Sequence, residues 1–600
     1  MRFVWAVVAL VLATVMIGAG IAQRTIFEPP RSTTSEVEIA DDTAYAVIPG
    51  TVLNSLPGTQ TVRVIGDGTV FAAYGRTSDV QAWLSDVTYS SVSVDDEGVL
   101  TTEVIEPEPV AVAEDAETTT EDGTEPTRNP EGSDLWYDQY TGDGAVIAPL
   151  QLGEDLSIIV ASDGTEPVPG KVTITWPLEN ATPWAGPLIV GGGILMAVGV
   201  LLYLLGIRHV RRSRGPRRKG LPLPPTEPID LAQTDGDKGV ISAGRPRRSI
   251  TGRARTLAAV PLAGVVVASL VGCTADDWPD LIPTQSPSPT ASVIVPEGQQ
   301  QPAVTQAQAQ EIVARVAATV AQADTDTDAA LAATRLTGPT LAVRETNYTL
   351  RDAIADYAAP EVVPDDPLQV VLPQAFDGWP RSFLAIANDA DTNMSTIMVL
   401  TQEDAWSEYR LSYYANLGAS TLLPELAPPY IGASLLAPHS AFLVIPPDEL
   451  AAAYADVLTN GDSSEYAALF ESEDQFRASV AADRQTRLDE FNETGAETGT
   501  LDFSATAGDA APFAIATLES GAIVAVNVYE TDTVTPTNED AVIKLEGNDT
   551  VKTLAGADQS STGFSTTFSD QLFFYVPAAG STEKIQLLGY SSAILEGSVL

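Results

Sequence analysis

The chain has 600 residues, enough for roughly three or four domains, and 44% of them are apolar, enough for buried cores. Its formal net charge of −48 opposes binding of the folded domains to nucleic acid or anionic lipid, because like charges repel. The single cysteine, Cys273, excludes an intrachain disulfide and a cysteine-rich zinc site.

Two uncharged apolar segments are long enough to cross a bilayer core of roughly 30 Å. Residues 1–22 begin with only Met1 and Arg2 before the apolar run, so we expect an uncleaved anchor rather than a cleaved signal peptide. Residues 187–207 form the second, with the interfacial aromatic Trp184 just before it. A third apolar stretch, residues 256–273, is shorter and contains Pro261.

The basic residues predict the topology. Residues 208–255 carry 13 of the 32 Lys and Arg residues and only four acids, without helical or strand periodicity. Loops this basic stay in the cytoplasm. We therefore expect a plasma-membrane protein with 23–186 and 274–600 extracellular and membrane lipid as a partner.

Residues 23–186 alternate β-branched runs with Gly and Asp, which is typical of a small β-sandwich or β-barrel. "TVRVIGDGTVFAAYGR" (61–76) predicts a hairpin turning at its Gly-Asp-Gly, and "SDVQAWLSD" (78–86) a short helix capped by Ser78 or Asp79. Residues 106–134 are acidic and rich in proline, and we expect a disordered insertion there.

Beyond a Pro/Ser-rich linker at 274–300, helical and strand patterns alternate in two blocks. Ile312, Val313, Val316 and Val320 define the buried face of the first helix. Helices followed by antiparallel strands, twice over, predict two α+β units, 301–440 and 445–600.

That element order resembles NTF2-like (cystatin-like) domains. The segments "MRFVWAVVALVLATVMIGAGIAQRT", "GPLIVGGGILMAVGVLLYLLGIRHVRRSRGPRRKG" and "EIVARVAATVAQADTDTDAALAATRLTGP" resemble actinobacterial cell-envelope membrane proteins with a tandem extracellular domain of unknown function. The resemblance brings no catalytic residues, and NTF2-like folds host enzymes as well as binding modules.

Motifs for chemistry are weak. His439 lacks a Gly-x-Ser-x-Gly partner, and "STEK" (581–584) has too little chain after it for the rest of a Ser-x-x-Lys acylation site. Residues 324–335 lack the Gly and Glu of a calcium loop, and we expect Asp324, Thr325 and Asp326 to begin a helix instead. "NDADTN" (388–393) is more simply a hairpin turn, and "GGG" (191–193) a close-packing point in a membrane helix. We expect no catalytic residue, cofactor or metal.

Three functions remain open. The leading hypothesis is a non-catalytic cell-envelope protein that presents acidic interaction domains, as a scaffold or accessory to envelope assembly, with a partner such as a membrane glycosyltransferase. The first alternative is a cell-wall glycoside hydrolase that uses paired carboxylates. The second is a ligand-binding module with an NTF2-like cavity, which predicts a large apolar pocket.

The context of Cys273 suggests a lipid modification. Leu270, Val271 and Gly272 precede it as in the lipobox of a bacterial lipoprotein signal, after the basic "RPRRSITGRAR" and an apolar stretch of signal length. Cleavage before Cys273 and attachment of a diacylglyceryl chain would make 245–600 a lipoprotein precursor joined to a two-helix membrane protein. The other interpretation is an inert cysteine that ends a third transmembrane helix.

Overall fold

The computed structural model describes residues 2–27, 30–39, 43–95, 98–107, 128–178, 184–213, 300–388, 394–418 and 421–600. The chain divides into two compact units. Unit 1 comprises Met1–Thr34 and Thr175–Ala291, and unit 2 comprises Ser35–Ile174 and Ser292–Leu600. Within unit 2 we call residues 35–174 the N-terminal domain and residues 300–600 the C-terminal domain.

The helices of the described residues are α1 (Arg2–Thr25), α2 (Gly50–Leu53), α3 (Thr77–Trp83), α4 (Ala185–Ser213), α5 (Gln306–Asp326), α6 (Ala329–Arg335), α7 (Gly338–Ala353), α8 (Pro447–Asn460), α9 (Gln475–Thr494) and α10 (Asp549–Ala555). The strands of the first half are β1 (Ser32–Glu38), β2 (Tyr45–Pro49), β3 (Gln60–Arg76), β4 (Tyr89–Val94), β5 (Leu100–Ile105), β6 (Asp138–Leu150), β7 (Leu156–Ala161) and β8 (Lys171–Pro177). Those of the second half are β9 (Leu368–Pro373), β10 (Arg381–Asn388), β11 (Ser395–Gln402), β12 (Arg410–Leu417), β13 (Gly499–Ala507), β14 (Phe513–Ala516), β15 (Ala522–Pro536), β16 (Ile543–Lys544), β17 (Gln559–Ser560), β18 (Phe564–Val576) and β19 (Gln586–Val599).

The described part of unit 1 contains two helices long and apolar enough to cross a membrane, over Phe3–Thr25 and Ala185–Val210. α1 and α4 pack antiparallel along a repeat of seven residues. Large side chains of α1 face glycines of α4, in the pairs Phe3 with Gly206, Leu10 with Gly199 and Ile17 with Gly192. Small residues let two helices approach closely where lipid offers no competing hydrophobic drive, so the predicted close-packing role of "GGG" holds for its central glycine.

The N-terminal domain is built on one eight-stranded sheet with barrel-like curvature, in the order β1-β8-β3-β7-β2-β4-β5, with β6 paired to β3. The β-rich prediction is therefore confirmed. The hairpin predicted within 61–76 is wrong, because those residues form one continuous strand, β3. Its pairing with β6 shifts register between Ile65 and Thr69, so the Gly-Asp-Gly forms a bulge instead of a turn.

The C-terminal domain repeats the predicted order of helices followed by antiparallel strands. α5, α6 and α7 precede β9–β12, and α8 and α9 precede β13–β19. The buried face predicted for the first helix is confirmed at Ile312, Val313, Val316 and Val320.

The two halves of the C-terminal domain share one nine-stranded sheet, in the order β13-β15-β18-β19-β12-β11-β10-β9 with β14 on β15. The halves meet where β12 pairs with β19, through Asn416 with Tyr590 and Leu417 with Gly589. One face of the sheet buries a core drawn from both halves, with Ile386 and Val399 from the first and Ile523 and Phe573 from the second. The predicted division at 440/445 therefore separates halves of one folded domain.

Candidate functional site

A buried carboxylate of the N-terminal domain lies among arginines of the C-terminal domain. Asp134 is fully buried and accepts hydrogen bonds from Arg315 (Nη2–Oδ1 2.8 Å), from Arg335 (Nη1–Oδ2 2.7 Å) and from the backbone N–H of Tyr409 (2.8 Å). Arg335 is also buried, and its Nε pairs with Glu408. Charge-assisted bonds of this kind are strong and depend on geometry, so they specify how the two domains dock.

A second buried carboxylate repeats the arrangement. Asp79, on α3, receives both Nη atoms of Arg381 at 3.1 and 3.3 Å and the Nε of Arg76 at 3.0 Å. Arg76 in turn donates to the carbonyl oxygens of Pro302 and Ala303, at the start of the C-terminal domain. These donors occupy both oxygens of the Asp79 carboxylate.

Aromatic contacts surround these ion pairs. The guanidinium of Arg128 lies over the rings of Trp83 and Trp406, 5.3 and 4.9 Å from their centroids, and pairs with Asp86. The indole N–H of Trp406 donates to the carbonyl oxygen of Trp83 at 2.9 Å. The contact between the two domains thus combines buried charge with aromatic packing.

Two predictions for these residues are wrong. Asp79 does not cap a helix: the residue before α3 is Arg76, and the Asp79 carboxylate binds arginines. The predicted disordered insertion 106–134 extends too far, because residues 128–134 are folded against the C-terminal domain and the indole N–H of Trp136 donates to the Pro130 carbonyl oxygen. Partners distant in sequence hold residues 128–134 in place, and composition alone does not reveal these partners.

A cavity of about 1020 Å³ lies within the C-terminal domain where its two halves meet. Beyond the two residue pairs that join β12 to β19, helix α7 bridges the strands. Its Thr340 hydroxyl lies 3.0 Å from the Ser412 carbonyl oxygen and 2.9 Å from Gln571 Oε1, and its Thr346 hydroxyl donates to the Leu595 carbonyl oxygen. Because both halves supply its walls, the cavity depends on their union.

The lining of this cavity is polar and apolar in about equal parts and close to neutral. It includes the charged residues Arg344 and Glu361 and side-chain amides at six positions. Those amides are Asn347, Gln369, Asn388, Asn416, Gln475 and Gln571. The cavity therefore differs from the large apolar pocket expected for an NTF2-like ligand-binding module.

Two buried carboxyl groups lie on neighbouring strands of the second half. Glu530 on β15 accepts a 2.7 Å bond from Arg484. Asp570 on β18 is fully buried, and its burial together with the adjacent Glu530 carboxylate raises the pKa of Asp570 to about 8. Burial also raises the pKa of Glu530, against the opposing effect of Arg484. Asp570 is thus mainly a neutral acid near pH 7.

The proposed lipidation site, Cys273, and its lipobox residues Leu270, Val271 and Gly272 lie outside the described residues. His439 is exposed, and its Nδ1 contacts the Asp448 carboxylate. "STEK" (581–584) follows Gly580 in the turn between β18 and β19, where Ser581 Oγ accepts from the Glu583 N–H, as the turn interpretation expects. Most of "NDADTN" (388–393) lies outside the described residues.

The stretch 324–335 is arranged differently from the prediction. Asp324 lies near the end of α5 instead of at the start of a helix, where it pairs with Arg344 and accepts a 2.6 Å bond from the Tyr348 hydroxyl. The cap of the following helix α6 is Asp328, whose Oδ1 accepts from the Leu331 N–H. Across the described ranges, no group of three or more His, Cys, Asp or Glu side chains is placed to hold a metal ion.

The sequence did not predict which arginines bind Asp79 and Asp134. Arg315 and Arg335 lie within helices whose apolar residues define the pattern, and arginine is ordinary on the exposed side of such helices. One signal was present: "DLWYD" (134–138) holds two large aromatic residues at the end of an acidic, proline-rich stretch, which is unusual for a disordered segment.

The architecture defines a β-rich protein with two helices long and apolar enough to span a membrane. Residues 300–598 match the family model of a domain of unknown function, DUF8094. This match covers both halves of the nine-stranded sheet, in agreement with their shared core. No curated protein and no solved structure shows significant similarity to the chain.

Proposed function

We propose that the chain is a non-catalytic membrane protein of the cell envelope, in which the N-terminal and C-terminal domains form one extracellular body that serves envelope assembly as a scaffold or accessory. The observation that carries this proposal is the set of ion pairs between the two domains, in which Asp79 binds Arg381 and Asp134 binds Arg315 and Arg335. Buried ion pairs of this kind favour one fixed arrangement of the domains over many alternatives. A fixed acidic surface suits recognition of a protein partner. A membrane glycosyltransferase as that partner stays a prediction.

The same contact constrains the topology. Two domains that pack together must lie on the same side of the membrane, yet α4 separates them in sequence. If α4 spans the bilayer, the chain has to cross again before residue 300, and residues 256–272 are the apolar stretch in that interval. The basic loop 208–255 then lies in the cytoplasm, as the charge rule requires.

Epitope tags test this topology in intact cells. We expect antibody to reach tags inserted after Thr120 and after Leu600, and to reach a tag after Gly236 only when the cells are permeabilised. Labelling of the Gly236 tag in intact cells would refute the proposal. So would a result that places the Thr120 and Leu600 tags on opposite sides of the membrane.

We also propose that Cys273 is lipidated. In that reaction the Cys273 thiol displaces the phosphorylated headgroup of a membrane phospholipid: the C–O bond to the phosphate breaks, a thioether to the diacylglyceryl group forms, and the thiol proton leaves with the headgroup phosphate. Water then hydrolyses the peptide bond between Gly272 and Cys273. The packing of the two domains gives this step a definite consequence, because the two products would remain associated without a peptide bond between them.

Mass spectrometry of the purified protein tests the modification. We expect a fragment that begins at a lipidated Cys273 and co-purifies with a tagged N-terminal fragment, and we expect Cys273→Ser to stay full length. A wild-type chain that is intact and unmodified would instead support a third transmembrane helix that ends in an inert cysteine.

The hydrolase alternative has less support. Among the described residues that line the cavity, Glu361 is the one carboxylate, whereas a glycosidase needs two that reach the substrate. The adjacent pair Glu530 and Asp570 is buried. The NTF2-like resemblance of the two halves rests on their element order and stays a proposal.

A further inference from the structure

We infer that the cavity between the two halves of the C-terminal domain binds a neutral carbohydrate. This inference rests on the proposed extracellular location of the C-terminal domain, and it adds a ligand to the proposed scaffold role. It follows from the charge of the lining, the kind of polar group that it presents, and the state of the neighbouring strand edge.

The charge of the lining favours an uncharged ligand. The Arg344 guanidinium pairs with Asp324 and donates to the Glu361 carbonyl oxygen. The Glu361 carboxylate accepts a 2.9 Å bond from Asn416 Nδ2 and a longer one from the Tyr414 hydroxyl. The Arg344 charge is thus neutralised within the protein, and the Glu361 carboxylate is hydrogen-bonded by neutral donors, so an anionic ligand would find no unpaired cation here.

The polar groups of the lining match sugar hydroxyls. A side-chain amide both donates and accepts hydrogen bonds, and so does each hydroxyl of a sugar. Gln369 and Gln475 are exposed at the cavity, and neither side chain hydrogen-bonds another described residue. Tyr357 and Tyr590 add aromatic rings, against which the apolar face of a sugar ring can pack.

The strand edge beside the cavity disfavours a peptide. A peptide that adds to a sheet needs a row of unpaired backbone N–H and C=O groups. On β12, the Leu411 carbonyl oxygen accepts from the Thr337 N–H, and the Ser412 carbonyl oxygen lies within hydrogen-bond distance of the Thr340 hydroxyl. The Tyr414 N–H donates to Gln571 Oε1 at 3.0 Å. Because these backbone groups already have hydrogen-bond partners, side chains would have to recognise the ligand.

Calorimetric titration of the full-length protein tests the inference. The protein is held in an amine-oxide detergent, because glycoside detergents would compete for the cavity. The probes are neutral hexasaccharides of glucose, galactose, mannose and arabinose, with a hexasaccharide of glucuronic acid for comparison. We expect at least one neutral probe to bind with a Kd of about 1 mM or tighter, and the acidic probe to bind more weakly.

Matched variants place the binding in the cavity. We expect Tyr357→Ala to weaken binding about tenfold, the loss expected when one aromatic packing contact is removed. Tyr430→Ala removes a tyrosine that is exposed outside the cavity and should leave binding unchanged. Gln369→Ala is a second cavity variant at an exposed position, which keeps the test valid if Tyr357→Ala lowers the Tm.

Several results would overturn the inference. They are no binding of any neutral probe up to ~10 mM, equal losses in the Tyr357 and Tyr430 variants, tighter binding of the acidic probe, and binding of a peptide pool without binding of sugars. Conversion of a hexasaccharide to shorter products would contradict the non-catalytic proposal instead. A failure to bind sugar with correct tag accessibility would reject the ligand class and leave the topology intact.

Discussion

Replacing Asp134 by Asn removes the charge at the contact between the two domains while keeping nearly the same shape. Four hydrogen bonds converge on this carboxylate, from Arg315 Nε and Nη2, Arg335 Nη1 and the Tyr409 N–H. Removing one partner of a buried ion pair costs about 3–5 kcal/mol, because the other charge stays buried without compensation. Arg335 keeps Glu408 and Arg315 is partly exposed, so we expect the lower end, about 3 kcal/mol.

Thermal unfolding of the full-length protein in detergent measures this loss, followed by tryptophan fluorescence. At ~2 °C per kcal/mol for a large domain, the Tm should fall by about 6 °C. Asp462→Asn is the matched control, because Asp462 also binds an arginine, Arg477, at 2.7 Å but is 97% exposed. It should leave the Tm unchanged. If Asp134→Asn is as stable as this control, the ion pairs do not hold the domains together.

Two further predictions concern a buried acid and the helix pair. The folded-state pKa of Asp570, about 8, lies above its ordinary 3.8, so its contribution to stability is full below pH 4 and is lost as the pH rises through 8. In thermal unfolding, the Tm of Asp570→Asn relative to that of wild type should therefore be higher at pH 9 than at pH 5. The control Asp502→Asn, at an exposed position, should show no such change. Parallel pH profiles of Tm for Asp570→Asn and wild type would contradict the prediction. Gly192→Leu should separate α1 from α4, since a Cβ there would lie 2.7 Å from Ile17 Cγ1, and Gly193→Leu should be tolerated because nothing lies within 4 Å. Cross-linking of cysteine pairs between the helices reads this out, and equal cross-linking of the two variants would refute it.

The sequence predicted the structure correctly where it depends on the spacing of apolar residues or on the length of an apolar segment. The uncharged runs predicted both long apolar helices, and the spacing of Ile312, Val313, Val316 and Val320 predicted the buried face of α5. Alternation of β-branched residues predicted a β-rich N-terminal domain. It did not separate a turn from a bulge at Gly66–Gly68, because glycine permits both and only the partner strand β6 selects one.

The placement of charge escaped prediction because an isolated Asp or Arg looks the same whether it faces solvent or a partner far along the chain. Asp79 looked like a helix cap and Asp134 like part of a disordered insertion. The arginines of the C-terminal domain that pair with them lie between 181 and 302 residues away in sequence. Apart from the aromatic residues of "DLWYD" (134–138), nothing local distinguishes these acids from the many exposed ones in a chain of net charge −48.

The sequence by itself determined the apolar helices, the basic loop between the domains and the order of helices and strands, because these depend on composition and on short-range periodicity. Only the tertiary structure decided that the two predicted α+β units share one sheet and one core, that a cavity rich in side-chain amides lies at their junction, and that two buried acids join the C-terminal domain to the N-terminal domain. Each of these depends on pairings between distant residues. The free energy of such pairings comes from burial and geometry, which no local stretch of sequence contains.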